Sequence, residues 1–231
     1  MSAIKNNLEQ IHRQIEEACA RCGRDPRSVR LIAVSKVKPA AAIDEACAAG
    51  QRLFGESYVQ EFRDKVEEVT MPAEWHFIGH LQSNKVKYLC GRVAMIHSVD
   101  RLSLAREIDR QWGKQGDVAR VLLQVNVGAE DSKAGCDSDA LETLTRKVAQ
   151  LRHVQICGLM CLPPYSDNPE DVRPYFRQLR NLARHLDKLQ LPGVRMDELS
   201  MGMSGDFAVA IEEGATLVRI GTAIFGERPA K

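Results

Sequence analysis

Two rhythms of hydrophobic positions alternate along the chain. Leu8, Ile11, Ile15 and Ala18 recur at helical spacing and predict an amphipathic helix over about residues 4–21, closed by Gly23 and Pro26. Val29, Leu31, Ile32, Ala33 and Val34 then crowd together and predict a buried strand over residues 29–35. Pro39 opens a helix that runs to about residue 49 and Gly50 ends it, the Pro-first, Gly-last asymmetry of helices. Further strands are predicted at 52–54, 74–78, 94–98, 119–127, 154–160, 198–200 and 216–220. Helical segments at 58–69, 83–89, 102–112, 140–151, 174–189 and 207–213 separate them.

Strand and helix therefore alternate from end to end, in eight β units, with no Pro/Ser-rich linker and no short-period repeat. Parallel strands need a crossover between them, so the pattern implies a parallel α/β sheet. Eight such units in 231 residues fit a single closed (β/α)8 TIM-type barrel near the small end of its size range. One domain, 1–231, is expected, with residues 1–25 as an N-terminal helix packed on the barrel. An open doubly wound sheet is the alternative. It normally carries a Gly-rich turn after its first strand, whereas here that turn reads Ser35-Lys36-Val37-Lys38-Pro39.

Composition narrows the function classes. Charged residues make up 27% and the formal net charge is +1, with Lys and Arg dispersed, so neither a nucleic-acid track nor an anionic-membrane surface is implied. Apolar runs are strand-sized and the first ten residues carry no apolar core, which points to a cytoplasmic chain without a signal peptide. Seven cysteines, an odd number without small-scaffold spacing, suggest reduced thiols. Cys19 and Cys22 form a lone C-x-x-C on a helix, and Cys157 and Cys161 flank a strand end; both pairs read as packing. His76 and His80 have the spacing of a helical metal pair, but the segment reads as a strand, so no metal is expected.

In a barrel of this kind, function gathers at the carboxyl ends of the strands. Lys36 follows an apolar strand directly, and period-two alternation places it on the face of Ile32 and Val34, toward the barrel mouth. Desolvation there, and repulsion from Lys38 of the same parity, favour a neutral amine, the form a Schiff-base lysine needs. The plainer reading is that Lys36 begins a solvated loop. Ser200, Met201 and Ser204 follow the seventh strand, and Gly221 and Thr222 follow the eighth. Small and hydroxylated residues at such turns expose backbone N–H groups suited to a phosphate. Arg219 lies within an apolar strand and needs a buried partner or a ligand. Asn126, with the following Ser132-Lys133-Ala134-Gly135, either contacts a ligand or shapes a loop.

Taken together these segments resemble the pyridoxal 5′-phosphate (PLP) homeostasis protein family, also called YggS/PROSC. The resemblance rests on residues 33–39 (AVSKVKP), 54–61 (FGESYVQE), 75–85 (WHFIGHLQSNK), 132–135 (SKAG), 158–160 (GLM), 199–206 (LSMGMSGD) and 218–226 (VRIGTAIFG). It spans nearly the whole chain in consistent order. It implies a barrel like the N-terminal domain of alanine racemase, with Lys36 as the lysine that holds PLP as a Schiff base. Ser200, Gly221 and Thr222 match positions around the cofactor phosphate, with Met201 and Ser204 nearby. Arg219 matches the arginine facing the pyridine nitrogen, Asn126 and Met160 match pocket-lining positions, and Lys38 and Lys133 match additional lysines. Ser57 stands where the family commonly has asparagine.

The resemblance implies a carrier that buffers PLP and passes it to PLP-dependent apo-enzymes, with indirect effects on amino-acid and keto-acid balance. An arginine at the pyridine nitrogen weakens the electron sink. The chain also ends about ten residues after its eighth strand, without the second domain that gives racemases their tyrosine acid/base and their dimer, so a non-catalytic monomer is expected. Two other classes stay open: a fold-type III racemase or decarboxylase of limited activity, and a Schiff-base aldolase that traps its substrate without pyridoxal.

Overall fold

Short apolar strands, each followed by a chain segment long enough to cross back, close into a parallel barrel. The computed structural model describes residues 2–128 and 134–227. Its barrel strands are β1 (Arg30–Val34), β2 (Leu53–Glu56), β3 (Glu74–Phe77), β4 (Met95–Val99), β5 (Ala119–Asn126), β6 (Val154–Cys161), β7 (Val194–Ser200) and β8 (Leu217–Ile220). Each pairs in parallel with the next, and β8 returns to β1 with Arg219 opposite Ile32, which closes the ring. A two-residue strand, Cys136–Asp137, lengthens the sheet beside the end of β5, where Asp137 pairs with Asn126. The (β/α)8 barrel read from the alternation is therefore the fold.

The helices are α1 (Ala3–Arg21), α2 (Ala40–Ala48), α3 (Val59–Glu68), α4 (Leu102–Gly113), α5 (Leu141–Val148), α6 (Arg173–Lys188), α7 (Phe207–Glu212) and α8 (Thr222–Phe225). In α1 the apolar stripe Leu8, Ile11, Ile15 and Ala18 is buried against α2, α7 and α8, and the Ser2 hydroxyl caps its first turn. Where an α-helix was expected over 83–89, the chain forms a 3-10 helix, Ser83–Tyr88. Its two buried apolar anchors, Val86 and Leu89, are three residues apart, which suits three residues per turn. Strand β7 starts at Val194, earlier than predicted. Exposed Arg195 and Asp197, paired at 2.7 Å, interrupt its apolar pattern and hide its first half.

Burial falls into two shells. Between sheet and helices lies the large core, with Phe54, Trp75 and Phe62 packed ring against ring. Inside the barrel a smaller cluster holds Ile32, Leu53, Met95, Leu122, Cys157, Met160 and Leu217. Polar residues occupy the rest of the buried interior, namely His76, His97, Gln124, Ser200 and Arg219. Such groups are expensive to bury and persist only when paired or when they serve a ligand. All seven cysteines are free thiols, and burial raises Cys136 and Cys161 to about 12. Among the described residues no helix is long and apolar enough to cross a membrane, and no cluster of three metal-ligating side chains occurs.

Candidate functional site

The carboxyl ends of β1, β7 and β8 meet at one rim of the barrel, and the chain turns sharply as it leaves β1. The Lys38 N–H closes a turn on the Ser35 carbonyl at 3.0 Å, so Lys36 and Val37 are its two central residues. Val37 has φ 63°, a left-handed conformation that a β-branched side chain adopts only under constraint. The constraint lies beneath the turn. Glu61 accepts from the Val37 N–H, and the buried Lys65 ammonium donates to the Ser35 carbonyl at 2.5 Å and to Glu56 and Glu61 at 2.7 and 2.5 Å. Ser35 in turn donates its hydroxyl to Glu56 at 2.6 Å. Glu56 is fully buried, and that burial pushes its carboxyl up against the opposing pull of Lys65 and Ser35. Lys36 is half-buried at the tip of this clamped turn.

Two loops meet beside it. After β7, the Met201 N–H bonds to Leu217 and Gly202 accepts from the Arg219 N–H, which lashes the loop to β8. Gly202 has φ +91°, and a Cβ there would meet the Ala210 side chain at 2.6 Å, so only glycine lets α7 approach. Asp206 accepts from the Met203 N–H at 2.5 Å and closes the loop; burial raises its pKa. After β8, Gly221 precedes α8, and the Thr222 hydroxyl reaches Ser204 at 3.2 Å. Ser204, Gly221 and Thr222 thus share one rim, whereas Ser200, expected beside Gly221 and Thr222, bonds to Arg219 and His97 instead.

Arg219 lies below this rim, 4% exposed, and donates to Ser200 Oγ at 2.6 Å and to the Cys161 carbonyl at 2.9 Å. Among the described residues no carboxylate pairs with it directly. Burial draws its pKa down, with Cys161 and Asp206 opposing. Ser200 is fully buried, its hydroxyl held between Arg219 and His97 Nδ1 at 2.9 Å. His97 Nε2 lies 2.8 Å from His76 Nδ1, and His76 Nε2 faces Glu74 at 3.4 Å. The sequence reading singled out neither His97 nor this column. Arg219, Ser200, His97 and His76 sit on four different strands, so chain spacing carries no trace of their contacts; only Glu74 and His76 share a strand.

Other expected residues lie elsewhere. Lys38 Nζ donates to the carbonyls of Phe225, Gly226 and Glu227 at 2.9, 3.1 and 2.8 Å, closing the C-terminal end of α8. Met160 and Met201 are fully buried, and Asn126 is half-buried at the end of β5. Ser132 and Lys133 lie outside the described residues. The loop that Ser57 opens presses on the next: a Cβ on Gly79 would sit 2.0 Å from the Ser57 carbonyl. Of the tyrosines, Tyr58 is 58% exposed at the rim, and Tyr165 is 86% exposed and donates to Asp167, which raises its pKa, the wrong direction for a base.

Comparison with known proteins places this geometry. Residues 2–229 match the family described as alanine racemase, N-terminal domain. The pyridoxal phosphate homeostasis protein of Aquifex aeolicus is 49% identical over 96% of both chains. A solved structure of an unknown protein from Bifidobacterium adolescentis is 35% identical, with a TM-score of 0.92 over 96% of this chain and 94% of that one. PipY of Synechococcus elongatus, solved with PLP bound, is 42% identical, with a TM-score of 0.80 over 92% of this chain and all of that one. A barrel with its lysine turn, hydroxyl rim and buried arginine in this order, matched end to end at such identity, belongs to the pyridoxal phosphate homeostasis protein family, built on the alanine racemase N-terminal fold.

Proposed function

We propose that the chain binds PLP at the rim formed by β1, β7 and β8, with Lys36 as covalent anchor, and that it carries the cofactor rather than turning over amino acids. The observation that carries this reading is Arg219, a buried guanidinium with no direct carboxylate partner among the described residues, at the end of the barrel where Lys36 emerges. A pyridine nitrogen suits such a donor, and the bound PLP of PipY and the names of the curated relatives support the choice. The donor set fits the rest of the molecule. Lys36 would supply an amine for the aldehyde, while the hydroxyls of Ser204 and Thr222 and the N–H groups at the start of α8 would face the phosphate.

PLP supplies an electrophilic aldehyde joined to a ring that withdraws electrons most strongly when its nitrogen is protonated. Arg219 acts only as a donor, so facing the pyridine nitrogen of bound PLP it would donate to that nitrogen and disfavour a proton there. The clamp of Lys65, Glu56 and Glu61 fixes the turn that presents Lys36. Of the described tyrosines, Tyr58 stands in solvent and Tyr165 is a weakened acid, which supports a carrier over a catalyst. Acceptors would then be apo-enzymes whose own lysines take the aldehyde from Lys36 by exchange.

Titration with PLP followed by absorbance, together with incubation of the loaded protein with amino acids and chiral analysis, tests both halves. A saturable visible band lost in Lys36→Ala, without racemised or decarboxylated product, is the expected result. Robust turnover that depends on Lys36 would overturn the carrier reading and restore the racemase or decarboxylase alternative.

A further inference from the structure

A continuous polar column descends through the barrel from Arg219 to its floor, and its chemistry permits only one direction. The guanidinium can only donate, so Ser200 Oγ accepts from Arg219 Nη1 at 2.6 Å. Ser200 has one hydrogen left, and His97 Nδ1 at 2.9 Å is its other side-chain neighbour. If Nδ1 carried a proton, the Ser200 oxygen would face two donors and its own hydrogen would find no acceptor in a fully buried site. Nδ1 therefore accepts, and His97 carries its hydrogen on Nε2. That hydrogen points at His76 Nδ1, 2.8 Å away, which must accept in turn. The remaining His76 hydrogen, on Nε2, faces the Glu74 carboxylate at 3.4 Å, the longest link. Glu74 is held below its usual range by the neighbouring His76 imidazole, although at 3.4 Å the two do not form a hydrogen bond.

The reverse order fails at both ends. It would set a bare His76 nitrogen against the Glu74 carboxylate and leave the Ser200 hydroxyl without an acceptor. A second proton on His97 fails for the same reason at Ser200. The charged groups around the column are Arg219 above and Arg30, Arg120, Glu74 and Glu198 below.

We propose that His97, acting through Ser200 and braced by His76, is the positioning residue that sets the orientation of Arg219 toward the pyridine nitrogen of PLP. This use of the column rests on the PLP reading above; the direction of the column does not. With Nη1 committed to Ser200 and Nη2 to the Cys161 carbonyl, the guanidinium cannot rotate without breaking a buried hydrogen bond. His97 thus acts on the cofactor without touching it.

Two measurements separate the parts. Ring-nitrogen NMR on the protein without PLP reads the tautomers directly: both His76 and His97 are expected neutral with the hydrogen on Nε2, and an Nδ1–H tautomer at His97 overturns the column. On the PLP-loaded protein, His97→Leu removes the acceptor for Ser200, whereas His97→Gln keeps an acceptor and a donor at similar reach. The leucine variant is expected to weaken PLP binding about tenfold and to move the pH midpoint of the visible band, as loss of a buried charge-assisted contact implies. The glutamine variant is expected to restore both. Ser200→Ala, which deletes only the hydroxyl, must reproduce the leucine phenotype and serves where the leucine variant does not fold. Unchanged affinity and midpoint in folded His97→Leu or Ser200→Ala overturn the positioning role. Failure of the parent protein to give a Lys36-dependent band sinks the PLP reading instead, with the tautomer result still standing.

Discussion

Lys36 is defined as much by what lies under it as by its own chemistry. Its turn contains a valine in a left-handed conformation, a strain of about 1–2 kcal/mol that the surroundings must offset. Lys65 supplies that support, and it also neutralises Glu56, whose second oxygen has no hydrogen-bond partner. Lys65→Met would leave the buried Glu56 charge uncompensated, and a loss of about 3–5 kcal/mol in urea unfolding is expected. Adding Glu56→Gln should recover a large part of that stability, as a double-mutant cycle would read. PLP capture by Lys36 should stay impaired in the pair, because the Ser35 carbonyl still lacks its cation. The motif containing Glu56 and Glu61 was visible in the sequence, but the task of its carboxylates was not. Glu56 meets Lys65 across a helix–strand gap, and only Glu61 stands at helical spacing from it.

At the scale of elements, the strands were legible because burial on both faces leaves continuous apolar runs. Where a strand is half-exposed, as in the Arg195–Asp197 half of β7, that signal failed, and the 3-10 geometry of Ser83–Tyr88 was equally hidden behind an amphipathic pattern. The rim residues Ser204, Gly221 and Thr222 were found because small residues at strand-to-helix turns have a local signature. Ser200 shows the limit of such signatures. It sits one residue before the loop, and its hydroxyl faces inward to Arg219 and His97. Lys38 shares parity with Lys36 yet turns to α8, since the chain leaves strand geometry at the intervening turn.

The polar column makes a prediction at this scale. Burial holds His76 below, and His97 well below, the ordinary value of 6.5. Below that pH the unfolded chain binds protons that the folded barrel refuses, so stability is present above 6.5 and declines as pH falls toward the folded values. The slope approaches about 1.4 kcal/mol per pH unit for each histidine. Urea unfolding at pH 7.5 and 5.5 should therefore show a clear loss at the lower pH, and His76→Gln with His97→Gln should flatten it. A parent protein equally stable at both would contradict the neutral column.

For the molecule as a whole, the described residues bring a lysine turn, a buried arginine and a hydroxyl rim to one end of the barrel. That inventory suits holding an aldehyde cofactor and releasing it to a competing amine. Everything rests on Lys36 as the anchor. The most direct test is borohydride reduction of the PLP-incubated protein followed by peptide mass mapping. The account predicts one dominant pyridoxyl adduct, on Lys36, accompanied by loss of the visible absorbance band. An adduct spread over surface lysines, or none at all, would contradict it and return the barrel to the aldolase alternative.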